Sequence, residues 1–232
     1  MTVIVVRRDD NFSQMLRDAG VEVISLELVG TEVLEDLSEF ENLISGLVQY
    51  DGVFFTSPVA AQVFADRVEP PVRPTLYSLG KRAVNVLADA GFVVKTVPHA
   101  NTAEEMLASF GDEEFAGKKL LFVRGERSMR TIPEHLGDTA EVDEVAVYRT
   151  IEIEPADGLY GHVSTGEWAC FFSPSAVEAF EKRFGRRVRV AAIGETTAAR
   201  ARELGFNVEL IASKAANEVF AKELIDRLKA DS

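Results

Sequence analysis

The stretch "FFSPSAVEAF", Phe171–Phe180, passes from an apolar run through Ser-Pro-Ser directly into helically spaced apolar residues. Earlier, "FFTSPVAAQVF", Phe54–Phe64, does nearly the same. Each reads as a buried strand followed at once by a helix. Proline is tolerated in a first helical turn, where its missing N–H has no partner to lose, and the preceding serine can cap that turn. Strands that run straight into helices imply right-handed crossovers and a mostly parallel sheet. Capping alone accounts for the residue types at either corner, but its recurrence points to the organisation of the whole chain.

Self-similarity extends well beyond these two corners. Ser57-Pro58 recurs 116 residues later as Ser173-Pro174, and "VIVVRRDD", with Arg7, resembles "LLFVRGER", with Arg124, at an offset of 117. "LYSLGKRAVNVLADAGFVV" from Leu76 resembles "VAAIGETTAARARELGFNV" from Val190, matching Gly80 and Gly91 to Gly194 and Gly205 at an offset of 114. Offsets that drift so little predict two similar halves. In the second half "KLLFVRG", "VDEVAVYRT", "EWACFFS", "RVAAIG" and "NVELIA" read as strands. "RTIPEHL", "PSAVEAFEKRF", "ETTAARARELG" and "NEVFAKELIDRLK" read as helices. The near-continuous apolar character of the strands fits burial on both faces. The fold class expected is α/β, with two open parallel-sheet domains related by internal duplication.

Composition narrows the function. The 232 residues carry 38 acidic against 25 basic side chains, a formal net charge of −13, which argues against a broad nucleic-acid footprint or an anionic membrane surface. The longest apolar runs, such as "VIVV" and "WACFF", are strand-length and far too short for a membrane span. One cysteine, Cys170, lies in an apolar run, and the N-terminal arginines follow rather than precede the apolar residues, so the sequence reads as that of a cytoplasmic protein. His99, His135 and His162 have no ligand-like spacing. Neither a Gly-x-Gly-x-x-Gly or Walker-type phosphate loop nor a Gly-x-Ser-x-Gly nucleophile elbow occurs.

What remains are the corners. Strand-to-helix junctions of an open parallel sheet lie at the carboxyl ends of the strands, where such folds bind ligands, and helix N-termini present free N–H groups to anions. The two Ser-Pro corners therefore read as a pair of anion receptors facing a cleft. "FVRGERS", Phe122–Ser128, presents guanidinium groups suited to a carboxylate, or equally a solvated, salt-bridged loop. Periodicity places Tyr148 on an alternating strand and does not single it out.

The blocks "FFTSPVAAQVF", "YSLGKRAVNVLADAGF", "LLFVRGERSM", "VDEVAVYRT", "FFSPSAVEAF" and "VAAIGETTAARARELGF", in this order and spread over essentially the whole chain, together resemble the uroporphyrinogen-III synthase family. The resemblance implies two flavodoxin-like parallel-sheet domains joined by a two-stranded linker formed by "LELVGTEV" and "VAVYRTIEI". Residues 1–34 together with 146–232 are expected to form one discontinuous α/β domain, and residues 35–145 the second. The implied reaction converts hydroxymethylbilane, a linear tetrapyrrole with eight carboxylates, into uroporphyrinogen III with inversion of ring D. It needs no metal or organic cofactor, and the implied partner is this small molecule alone, bound by a monomer with no nucleic acid or membrane. The alternative is a non-catalytic tetrapyrrole- or polyanion-binding regulatory module of the same fold.

Carried over residue by residue, the resemblance assigns Tyr148, in "VYRT", to assist departure of the substrate hydroxyl as hydrogen-bond donor or acid. Substrate binding falls to Thr56, Ser57 and Gly80, to Arg124 and Gly125 of the "RG" turn, to Ser173 and Ser175 of "SPSA", and to Gly194, Thr196 and Thr197 of "IGETTA". Phe172 stands where the family often has threonine, Ala83 replaces a common threonine, and Val59 a frequent polar residue.

Overall fold

The computed structural model describes residues 1–100, 102–155, 163 and 167–231. These group into two compact units, one of Met1–Gly30 with Ile151–Ser232 and one of Thr31–Thr150.

The first unit is built on a five-stranded sheet. Its strands are β1 (Thr2–Val5), β2 (Glu22–Ser25), β9 (Trp168–Phe171), β10 (Arg189–Ala192) and β11 (Asn207–Ile211), in the spatial order β11-β10-β9-β1-β2. Every pair is parallel. Numbered along the chain within the unit, this is the order 2-1-3-4-5 of flavodoxin-like sheets, whose winding reverses between the two strands at the switch point, here β1 and β9.

The apolar runs follow from burial on both faces. Along β1, Val3 and Val5 pack on one side with Phe12 and Leu16 of α1 (Asn11–Asp18), while Ile4 and Val6 pack on the other with Val177 and Phe180. Along β9, Trp168 and Cys170 join the first cluster and Ala169 and Phe171 the second. Phe220 and Leu224 of the C-terminal helix, Asn217–Ala230, complete the first face. Alternate residues of a strand point to opposite faces, so both sets must be apolar.

The second unit repeats this plan. Its sheet runs β3-β8-β7-β4-β5-β6, from β3 (Val29–Val33), β4 (Gly52–Phe55), β5 (Thr75–Ser78), β6 (Val94–Lys95), β7 (Lys119–Gly125) and β8 (Glu141–Glu152). The ladders from β8 to β6 are parallel. Phe55, Leu76 and Val123 pack beneath α2 (Ser38–Ser45), α3 (Pro58–Ala65) and α4 (Lys81–Asp89). Phe54, Tyr77 and Phe122 face the opposite side, covered by Met106 and Leu107 of α5 (Ala103–Phe110) and Ile132 and Leu136 of α6 (Thr131–Leu136). The strand winding reverses between β4 and β7.

The chain passes between the units inside β3 and inside β8. These strands are neighbours, with Leu34 N–H donating to Val147 O and Ile153 N–H to Leu28 O. Residue numbers fall along one strand as they rise along the other, the mark of an antiparallel pair.

Among the described residues, the α-helices not yet given a label are α7 (Pro174–Phe184), α8 (Glu195–Glu203) and α9, the C-terminal helix named above. The mixed α/β fold with predominantly parallel sheets is the class expected from the sequence.

Candidate active site

The residues that the sequence singles out gather at the carboxyl edges of the two sheets. In the second unit, Thr56 and Ser57 follow β4, Gly80 follows β5, and Arg124 and Gly125 end β7. Since β4 lies between β5 and β7, these three corners are neighbours. In the first unit, Ser173 and Ser175 follow β9 while Gly194, Thr196 and Thr197 follow β10, the adjacent strand.

Both Ser-Pro corners are N-caps. Ser57 is extended, with Pro58 opening α3, and the Val59 N–H donates to its Oγ at 3.2 Å. Ser173 is likewise extended, with Pro174 opening α7, and the Ala176 N–H donates to its Oγ at 3.2 Å. The Ser173 and Ser175 hydroxyls lie 3.1 Å apart. Capping takes one acceptor position of each serine and leaves its hydroxyl proton available to a second partner.

The two matched glycines differ. Gly80 precedes α4 with φ +83°, a conformation that side chains rarely adopt, whereas Gly194 precedes α8 with φ −176°, extended backbone open to any residue. Thr196 is exposed in the first turn of α8, while Thr197, its neighbour, is buried. Thr197 packs into the body of its unit and Thr196 faces solvent.

Arg124 is already engaged. Its Nε lies 3.0 Å from Glu144 Oε2, and Nη1 donates to the carbonyl oxygens of Gly125 and Glu126 at 2.9 and 3.1 Å. The side chains of Arg124 and Glu144 are only 19% and 15% exposed, so the pair is shielded well enough to hold the turn rather than swing outward. Arg130 Nη2 also donates to Glu144, at 2.6 Å.

Tyr148 lies opposite Gly125 in the β7–β8 ladder, where the register shifts between Arg124 and Gly125. Its half-buried ring packs against the core beneath α3 and α4. A methyl group built on Gly125 would meet Tyr148 Cζ at 2.5 Å, Cε2 at 2.7 Å and the hydroxyl oxygen at 2.8 Å. The phenol end of Tyr148 therefore rests directly over the backbone of Gly125.

One arginine escaped the sequence reading. Arg7 leaves β1 beside β9 at the switch point of the first unit, the place Arg124 holds in the second. Its guanidinium stacks on Phe172, 3.6 Å from the ring centroid, and its Nη2 lies 2.6 Å from Asp10 Oδ2. The offset of 117 that matches Arg7 to Arg124 was the available signal.

Among the described residues, no group of three or more His, Cys, Asp or Glu side chains is arranged to hold a metal ion. A cavity of about 490 Å³ in the second unit is lined by Pro70, Pro71, Arg73, Phe92 and Lys95, at the amino ends of β5 and β6. It is on the wrong edge for a ligand of an open parallel sheet, which binds at the carboxyl ends.

The model of the family described as uroporphyrinogen-III synthase HemD matches residues 10–221. The chain belongs to the uroporphyrinogen-III synthase family. Its activity is accordingly that of an enzyme of tetrapyrrole biosynthesis acting on a small-molecule tetrapyrrole. The uroporphyrinogen-III synthase of Chlorobaculum parvum is 26% identical over 246 residues, covering 98% of this chain and 99% of that protein. Among solved structures, the Helicobacter pylori uroporphyrinogen-III synthetase superposes with a TM-score of 0.69 at 18% identity, over 98% of this chain and 99% of the other. A mutant of the Thermus thermophilus synthase superposes with a TM-score of 0.62 at 16% identity, over 99% of each chain. At these identities the superpositions speak to the fold. No helix among the described residues is long and apolar enough to cross a membrane.

Proposed function

We propose that this member of the family closes hydroxymethylbilane to uroporphyrinogen III with inversion of ring D, and that Tyr148 is the residue that touches the reacting group. The substrate hydroxymethyl carbon loses its hydroxyl, which takes a proton and leaves as water, and an azafulvene-type cation remains. The substituted carbon of ring D attacks this cation, and the resulting spiro intermediate fragments and recloses with ring D inverted. A phenol placed to donate toward the departing oxygen lowers the barrier to the first step, a contribution typical of positioned acids.

The rest of the task is conformational. The substrate ionises readily, so the protein has to hold the chain where attack at the crowded carbon is favoured over simple head-to-tail closure. Helix N-termini at Ser57, Gly80, Ser173 and Gly194, with the hydroxyls of Thr56, Ser175 and Thr196, offer N–H and O–H donors to carboxylates without a basic surface, while the buried Thr197 contributes its backbone at the start of α8. This suits a chain of net charge −13. Arg124 and Gly125 enter the reading through the turn they form beneath the tyrosine. A monomer in a reducing cytoplasm fits the buried lone thiol of Cys170.

The observation that carries the reading is that Tyr148, on β8, rests its phenol over Gly125 at the carboxyl end of β7, the strand that borders the switch point of its sheet. The test is direct. Protein is mixed with freshly generated hydroxymethylbilane, the products are oxidised, and the porphyrin isomers are separated by chromatography. Isomer III should dominate; isomer I alone, at the uncatalysed rate, would overturn the proposal. Tyr148→Phe should lower turnover by about 10²-fold with the fold intact, and unchanged turnover would remove Tyr148 from the chemistry.

A further inference from the structure

Glycine is required at position 125 for want of space rather than for backbone conformation. Its φ lies outside the positive range where side chains are strained, yet a methyl group there would sit 2.5–2.8 Å from the Tyr148 ring and hydroxyl. Real Cβ atoms do not approach neighbours so closely, and in a close-packed interior the ring would have to move.

The turn that follows is held from several sides. The Gly125 N–H donates to Ser128 Oγ at 3.0 Å, and the Ser128 N–H donates back to the Gly125 carbonyl at 3.1 Å. The Glu126 N–H donates to the Tyr148 carbonyl at 2.9 Å, tying the turn to β8 at the tyrosine itself. From below, Arg124 grips the carbonyls of Gly125 and Glu126 while Glu144, four residues before Tyr148 on the same strand, holds Arg124. The Glu126–Tyr148 and Arg124–Glu144 contacts fix the turn against β8, and the others close the turn on itself.

We infer that the Arg124–Ser128 turn is a cradle that aims the Tyr148 phenol, and that Gly125 is a positioning residue whose missing side chain sets where the hydroxyl stands. This rests on the reading of Tyr148 as the group that assists departure of the substrate hydroxyl. It assigns Arg124 and Gly125 to the tyrosine rather than to a substrate carboxylate. A positioned acid loses its effect steeply with small displacements, because proton donation requires hydrogen-bond distance and alignment.

The test is a double-mutant cycle on single-turnover formation of isomer III, with substrate affinity and melting temperature measured alongside. Gly125→Ala should lower the catalytic rate by about tenfold or more while affinity changes little. In a Tyr148→Ala background, where no ring remains to be displaced, Gly125→Ala should cost no more than about twofold further. Equal losses in both backgrounds, a loss of affinity in place of rate, or wild-type behaviour of Gly125→Ala would each overturn the inference.

If Gly125→Ala alone does not fold, its combination with Tyr148→Ala should melt close to Tyr148→Ala, since the clash is gone. Failure of that combination to recover would overturn the cradle. Tyr148→Phe separates the two proposals: normal turnover there removes the acid, whereas slow turnover there with a normal Gly125→Ala enzyme removes only the cradle.

Discussion

The two units reach the same strand order by different chain paths. In the first, the chain lays down β1 and β2, leaves, and returns to add β9, β10 and β11. In the second it begins with β4, β5 and β6, the equivalents of β9 to β11, and closes with β7 and β8, the equivalents of β1 and β2. The order β2-β1-β9-β10-β11 and the order β8-β7-β4-β5-β6 are thus the same lattice, entered at different points. Two-faced strands and right-handed crossovers define the lattice whatever the entry point.

The lattice is shared, but the chemistry placed on it is not. Where the second unit has Gly125 beneath Tyr148, the first has Arg8, whose exposed side chain pairs with Glu27 at 3.2 Å. An arginine there leaves no room for a ring resting on the backbone. The guanidinium one residue earlier is satisfied differently as well, by Phe172 and Asp10 for Arg7 and by Glu144 and two carbonyls for Arg124. Duplication has kept the Ser-Pro helix caps in both units and left the tyrosine's platform in one.

This contrast can be broken at matched positions. The largest difference in stability is expected at the glycines that open α4 and α8. Gly80→Ala, at φ +83°, should destabilise by about 2 kcal/mol, while Gly194→Ala, at φ −176°, should change stability by less than about 0.5 kcal/mol in urea melts. Equal effects would show that the left-handed residue carries no strain worth relieving with glycine. A smaller and symmetric loss, about 1 kcal/mol each, is expected for Ser57→Ala and Ser173→Ala, because both hydroxyls accept from the first turn of their helices. If only one of the two weakens the fold, the corners are not equivalent caps.

The smallest effect concerns acid. The Tyr77 hydroxyl at 2.5 Å, with Lys95 at 2.9 Å, holds Glu114 down to about 2. A carboxylate depressed in the folded state contributes stability that is present above its unfolded value and lost as pH falls through the folded one. The second unit should therefore lose this contribution between about pH 4.5 and pH 2, by no more than about 1 kcal/mol because solvent reaches the group. Glu114→Gln should flatten the acid limb of a stability–pH curve; an unaltered limb would mean that the tyrosine and lysine do not favour the charged form.

What could be read along the chain was local. "KLLFVRG" and "PSAVEAFEKRF" coincide with β7 and α7 because an apolar run and a cap-plus-proline signal are complete within a few residues. Gly91 and Gly205 mark the ends of α4 and α8 for the same reason. Matching offsets exposed the duplication, and family resemblance pointed to Tyr148, which periodicity treats as one more strand residue.

What only the tertiary structure decided is how strands distant in sequence meet. The register shift at Arg124/Gly125 brings Tyr148 over Gly125 from 23 residues away. Packing of β1 against β9 lays Arg7 on Phe172 across 165 residues. No residue near Arg124 in sequence announces that Glu144 will claim its guanidinium. Residue types and short spacings encode where strands, helices and caps form, since those depend on neighbours along the chain. Register and side-chain partnership depend on neighbours across the sheet, and these exist only once the sheet has assembled.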